Sequence, residues 1–182
     1  MKIPDSERLS YTLMSADDTS DAELLYQLDQ DPEVMRHINN GKLTSREEIR
    51  DFYLPRLEKY TNTEKGWGLW KVCFKESGQF IGWVLVRPMK FFSDSPQWDN
   101  LELGWRFVSE FWGHGYATEA AQSIKQALIH SGLATRFCAI AVKENKASIS
   151  IMKKLGMNYI KTYLDKDAAR EVDVVYYEIS CS

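Results

Sequence analysis

Apolar and polar residues alternate from Leu9 to Met14, the pattern of a short strand with one buried face. The period then lengthens. Leu24, Leu25 and Leu28 recur at helical spacing behind Ser20 or Asp21, either of which suits an N-cap. Asp31-Pro32 opens a further turn, and Thr44-Ser45-x-x-Glu48 has the form of a capping box ahead of Ile49, Phe52 and Tyr53. Two helices are therefore expected before most of the sheet.

Trp67 to Phe74 and Gln79 to Val86 are β-branched and aromatic runs, and the four residues Lys75-Glu76-Ser77-Gly78 between them suit a hairpin connection. Pro88 is expected to end the second strand. Phe91 to Asn100, containing Pro96, is expected to be a loop, and Leu101 to Val108 the next strand. Past Gly113 and Gly115, residues Ala117, Ala120, Ala121, Ile124 and Leu128 fall on one helical stripe, with Glu119, Gln122, Lys125 and Gln126 on the remaining face. Gly132 stops that helix. Phe137 to Val142 is a short strand, and Asn145 to Leu155 an amphipathic helix ended by Gly156, with Lys153 and Lys154 suited to its last turn. Met157 to Tyr163 and Val172 to Ile179 complete the sheet. The order β-α-α-β-β-β-α-β-α-β-β predicts an α+β fold in which antiparallel strands are followed by a crossover.

Composition narrows the classes. The 182 residues show no repeat, linker or shift in composition, so one domain spanning 1–182 is expected. A formal charge of −3 gives no basic field to recruit nucleic acid or anionic lipid. Cys73, Cys138 and Cys181 form no Cys-x-x-Cys pair and do not combine with the three histidines at metal-ligand spacing, so no metal is expected. The first residues, Met-Lys-Ile-Pro-Asp-Ser-Glu-Arg, lack an apolar signal core, and no run approaches the roughly 20 apolar residues of a bilayer span. A cytoplasmic protein with no membrane partner is the expectation.

The chemistry concentrates at Phe107 to Ala120, where two glycines join a strand to a helix. Glycines permit close approach of a ligand to the backbone, and the first helical turn offers unpaired N–H groups and a partial positive charge. That combination suits a phosphate-bearing cofactor. Gly113-x-Gly115-x-x-Thr118 is a poor dinucleotide fingerprint, since its third small position is Thr and no βαβ unit surrounds it. No Gly-Lys-Ser/Thr is present for a triphosphate loop. A tight turn with no ligand remains the alternative for the glycine pair taken alone.

Four ordered segments carry a resemblance: Glu102-Leu-Gly-Trp-Arg-Phe-Val, Phe111-Trp-Gly-His-Gly-Tyr-Ala-Thr-Glu-Ala, Glu144-Asn-Lys-Ala-Ser and Lys154-Leu-Gly-Met. Together they resemble the GNAT acyl-CoA N-acyltransferases, and most of all the RimJ/RimL-like branch of ribosomal-protein alanine N-acetyltransferases. Ser6-Glu7-Arg8-Leu9, Asp31-Pro32-Glu33-Val34-Met35 and Phe80-Ile81-Gly82 also match that branch, so the likeness runs from about Ser6 to Tyr163.

The resemblance implies a GNAT-like mixed, mostly antiparallel sheet with helices on both faces and a splay between strands 101–108 and 137–142 that admits an acetyl-CoA thioester. It implies that Gly113, His114, Gly115, Tyr116, Ala117 and Thr118 cradle the CoA pyrophosphate, and that Phe107 and Val108 hydrogen-bond the pantetheine arm as an added strand. Glu110 stands where the family often has Arg or Gln, and is inferred to face solvent. His114 either adds charge near phosphate or is a solvated loop residue. Glu102 matches the position from which some relatives supply a general base, and a structural glutamate is the alternative. A tyrosine general acid is absent, because Met152 stands at its usual position. Ser148 matches a serine placed beside the sulfur in this branch; local bonding in the first helical turn is its other role. Asn145 suits an N-cap and a pantetheine contact at once.

The aromatic residues call for separate treatment. Trp67, Trp70 and Trp83 are expected in the core, whereas Trp105, on the strand lining the splay, suits either core or the wall of an amine site. Asp94 and Asp99 in the 91–100 loop would favour a cationic acceptor. The resulting expectation is an N-acetyltransferase acting from acetyl-CoA on a primary amine, with a protein or peptide N-terminal amine as the first choice of acceptor. A small-molecule acceptor (polyamine, amino acid or antibiotic) and a non-catalytic acetyl-CoA-binding regulatory module are the alternatives. The oligomeric state is open, a homodimer included.

Overall fold

In the computed structural model, which describes residues 1–165 and 171–181, seven strands form one sheet in the order β1-β2-β3-β4-β5-β7-β6. The strands are β1 (Leu9–Leu13), β2 (Gly68–Phe74), β3 (Phe80–Met89), β4 (Gln97–Phe107), β5 (Arg136–Val142), β6 (Asn158–Asp165) and β7 (Val172–Ser180). Neighbours pair antiparallel except β4 with β5, which is parallel, as the helical crossover between them requires.

The segment before β2 is more helical than expected. α1 (Thr19–Leu28) is capped two residues before Ser20, the nearer of the anticipated caps, because the Asp18 carboxylate takes the Ser20 amide at 2.8 Å and also the Asp21 amide. The turn expected after Asp31 becomes the helix α2 (Pro32–Asn39), with Asp31 as its cap and Pro32 in its first turn. The capping box forms as the sequence implies, Ser45 and Glu48 bonding reciprocally. It opens a third helical stretch: α3 (Arg46–Glu48), a π-helical turn (Ile49–Tyr53) and α4 (Leu54–Tyr60).

Two other boundaries move. β3 runs through Pro88 to Met89, because the β2 pairing ends at Val86 and the missing proline N–H therefore faces no partner strand there. β4 starts at Gln97, so the connecting loop is shorter than 91–100. Beyond it lie α5 (Tyr116–His130) and α6 (Lys146–Lys154).

One core packs α5 and α6 on the sheet through Ala120, Ala121, Ile124, Leu128 and Met152, facing Leu101, Leu103 and Phe107 of β4. A second packs α1 and α4 on the opposite face, through Leu25, Leu57 and Tyr60 with Trp83 and Leu85 of β3. Lys125, placed by periodicity on the polar face of α5, is buried instead. Its Nζ donates to the Leu155 carbonyl at 2.7 Å, so the ammonium satisfies the end of α6.

Candidate active site

β4 and β5 pair only at Leu101–Phe137 and Glu102–Cys138, whereas β5 pairs with β7 over its whole length. Past Glu102 the two strands diverge, and the sheet is split down its middle. A cavity of about 1280 Å³ occupies the split. Its wall includes Glu102, Gly104 and Arg106 from the β4 face toward α1 and α4. Trp105 of the opposite face, with Asn145 and Ser148 at the start of α6, lines it too. Alternation along β4 would put Glu102 and Trp105 on different sides of an intact sheet. They share one cavity because the split lets it pass through.

Glu102 is buried, and its carboxylate accepts from Arg87 Nε at 2.8 Å. Arg87 faces Glu102 across the β3–β4 ladder, so hairpin register alone creates the pair. The charge is thereby compensated where an isolated buried carboxylate would cost several kcal/mol, on the order expected for removing an ion from water. Tyr60 of α4 lines the same wall, and burial pushes its hydroxyl up to about 12, so it stays protonated at neutral pH. Cys138, paired with Glu102 on β5, is buried, and burial followed by the Glu102 charge pushes its thiol up, which makes it inert.

At the start of α6, Asn145 is the N-cap, its Oδ1 accepting the Ser148 amide at 3.0 Å. The Ser148 hydroxyl accepts from Trp105 Nε1 at 3.2 Å, a contact that the spacing of the two residues did not reveal. Trp67 and Trp70 are buried as expected. Trp83 is half-buried and contributes to the cavity wall.

The glycine turn lies past the far end of β4. Gly113 and Gly115 have φ of 82° and 81°, a region costly for residues with a Cβ, and a Cβ at Gly113 would meet nothing within 4 Å. Gly115 caps α5 with no side-chain hydrogen bond, and the first intrahelical bond is Glu119 N–H to Gly115 O at 3.0 Å. The amides of Tyr116, Ala117 and Thr118 therefore precede the helical ladder and suit a bound anion. His114 and Glu110 are both exposed. Phe107 and Val108 are less open than anticipated. The Val108 amide donates to Ile81 O at 3.0 Å and is not spare for a pantetheine arm, while the Phe107 carbonyl accepts from Trp112 Nε1 at 2.8 Å and keeps one lone pair.

Arg8 was quoted in the sequence only as part of a motif, yet it lies against this turn. It donates to the His114 carbonyl at 3.2 Å, stacks over the Tyr116 ring at 4.3 Å and grips Glu119. Asp99 does not reach the cavity, since it bonds Arg136 of β5 at 3.2 Å; Asp94 does line it. Among the described residues no cluster of three or more His, Cys, Asp or Glu side chains is placed to hold a metal ion, and no helix is long and apolar enough to cross a membrane.

The sheet is thus split, with a carboxylate at the root of the split and a glycine-led helix tip, suited to a phosphate-bearing ligand, at its far end. Residues 11–158 match the family described as acetyltransferase (GNAT) domain, and the chain belongs to that family. It is 31% identical over 147 residues to FsC-acetyl coenzyme A-N(2)-transacetylase of Aspergillus fumigatus, covering 79% of this chain and 61% of that protein. It thus spans less than two thirds of that relative's length. YkkB of Bacillus subtilis is 30% identical, covering 82% of this chain and 83% of its own. The fold also superposes on RimL, a ribosomal L7/L12 alpha-N-protein acetyltransferase in complex with coenzyme A, with a TM-score of 0.74 at 16% identity, covering 100% of this chain and 98% of that one.

Proposed function

We propose that this protein moves the acetyl group of acetyl-CoA to a primary amine, with Glu102 as proton acceptor, and that the amine is a protein or peptide N-terminus. The observation that carries the proposal is the single cavity that connects Glu102 with Ser148 through the split between β4 and β5. A pyrophosphate held at Gly113 to Thr118 directs the pantetheine arm into that split. An amine entering from the α1–α4 side meets the thioester carbon beside Glu102. The C–N bond forms, the C–S bond breaks, the amine proton passes to the carboxylate directly or through water, and the thiolate is met by the Ser148 hydroxyl.

Charge on the cavity wall favours an acceptor with one amine over a polycation. Asp29, Glu48 and Glu102 are already paired with Arg106, Lys42 and Arg87. Asp94 sits on an exposed loop. Beyond the exposed Asp94 and the half-exposed Glu48, a polyamine would have to displace the buried partners of Asp29 and Glu102 to find carboxylates, at a cost of several kcal/mol by the general price of breaking buried pairs. A peptide end presents one amine and otherwise neutral atoms. The second reading, a small-molecule acceptor, is supported by the likeness of the fold to an aminoglycoside acetyltransferase in complex with coenzyme A and kanamycin.

Release of free CoA thiol separates these readings. Short peptides with Ala or Ser termini are expected to drive it, and spermidine only weakly. Faster release with spermidine than with any peptide would replace the first reading by the second. No release with any amine, despite CoA binding, would leave a non-catalytic binding module.

A further inference from the structure

We infer that Trp105 is a positioning residue that sets the proton of Ser148 for delivery to the departing sulfur; this rests on the reading of Ser148 given above. A serine hydroxyl has one hydrogen, two lone pairs and a freely rotating O–H bond. In the first turn of a helix its default is to donate to a nearby backbone carbonyl, which would spend the proton locally. Here the Trp105 indole, a donor without acceptor capacity, approaches Ser148 Oγ at 3.2 Å. It occupies one lone pair and leaves the hydroxyl hydrogen to point elsewhere. Among the described residues the Ser148 hydroxyl donates to no protein group, while its backbone amide is fixed separately by Asn145 at 3.0 Å.

Trp105 of β4 and Ser148 of α6 meet on one face of the sheet, and both line the cavity. Their contact therefore sits in the cavity wall beside the gap into which the thioester fits, and the hydroxyl hydrogen is left for a group bound there. The N-terminal turn of α6 adds partial positive charge on the same side. As the C–S bond breaks, the Ser148 hydroxyl donates its hydrogen bond to the thiolate, and its proton passes to the sulfur as water hands one to the serine oxygen, so that no alkoxide forms. The proton that Glu102 received leaves to solvent, so the transfer balances.

A purely structural Trp105 and a positioning Trp105 differ in kinetics. Ser148→Ala is expected to lower kcat about a hundredfold, the lower range for a lost proton donor, with CoA affinity retained. Trp105→Phe keeps an aromatic ring but deletes the N–H together with the pyrrole half of the indole; it is expected to lower kcat about tenfold, since the serine then donates productively only part of the time. The decisive measurement is the double variant, which should be no slower than Ser148→Ala alone, as groups acting as a unit are not additive. If Trp105→Phe raises only the acceptor KM, or if the two losses multiply, the positioning role is wrong while the Ser148 assignment stands. If Ser148→Ala turns over normally, the Ser148 assignment falls and this inference with it. Should Trp105→Phe fail to fold, the benzothiophene isostere of tryptophan placed at 105 removes the N–H alone and yields the same comparison.

Discussion

Arg8 Nε donates to Glu119 Oε2 at 2.7 Å across 111 positions of sequence, fastening the chain just before β1 to the first turn of α5. Ser6 Oγ and the Arg8 amide complete the grip on the other carboxylate oxygen, at 2.7 and 3.0 Å. The clamp neutralises an acidic residue that would otherwise face the phosphate site from within the helix, and it holds the glycine turn through the His114 carbonyl. Burial pushes the Glu119 carboxyl up, but the hydrogen bonds from Ser6 and Arg8 outweigh it and hold the group below its ordinary 4.5.

Arg8→Ala is expected to cost about 1 kcal/mol of stability, the upper end for a partly exposed pair, and to weaken CoA binding. The sign with pH follows from the depressed carboxyl. Its stabilisation is fully present above about pH 4.5 and is lost as pH falls through the lower folded value. Melting temperatures of the two proteins should differ most near neutrality and converge in acid. A gap that stays constant or widens on acidification would assign the stabilisation to something other than Glu119.

Gly115→Val is expected to weaken CoA binding at least tenfold while the protein remains folded. A valine at φ 81° is strained by roughly 1–2 kcal/mol, and its Cβ would lie 3.7 Å from Arg8 Nη2, inside the clamp. Calorimetric titration of CoA into the variant reads the loss directly. Unchanged affinity would remove the pyrophosphate from this turn.

Gly82→Ala addresses the sheet rather than the ligand. Its Cβ would collide with the Arg106 carbonyl oxygen and lie 2.7 Å from Phe107 Cα, backbone atoms that cannot rotate away. A cost of about 3 kcal/mol or more is expected, the high end for overpacking, because β3 must part from β4 just where the strand leads into the glycine turn. Denaturant midpoints would register it, and a wild-type midpoint would mean that the ladder is looser than its register implies.

Glu102→Gln should retain CoA binding and lower kcat by about 10² to 10⁴, the usual contribution of a general base. The amide oxygen can still accept from Arg87, so the fold is preserved while the basic group is lost. Thiol-release rates alongside CoA titrations check both halves. Normal turnover at every pH would move the base to another group.

Much of the fold was legible because its signals are local. The Ser45–Glu48 capping box, the Lys75 to Gly78 connection, the Gly113 and Gly115 turn and the Asn145 cap are each written in a few consecutive residues, and each formed. The misplaced boundaries have particular causes. Asp18 outcompeted Ser20 and Asp21 because two amides converge on its carboxylate. Pro88 was tolerated because its strand lacks a neighbour on the N–H side at that point. Lys125 looked polar by periodicity, but the unsatisfied end of another helix drew it inside.

Consecutive residues by themselves determined most of the order of the elements and the anion-ready helix tip, because caps, turns and periodicity act over a few bonds, while the candidacy of Glu102 and Ser148 came from the family resemblance. Only the tertiary structure put Arg87 against Glu102, Arg8 around Glu119 and the indole of Trp105 on Ser148. Those contacts depend on strand register and on where the crossover through α5 returns β5, quantities set by packing between segments 15 to 111 residues apart. The cavity itself belongs to that second group, since it exists only where two parallel strands stop pairing after two residues.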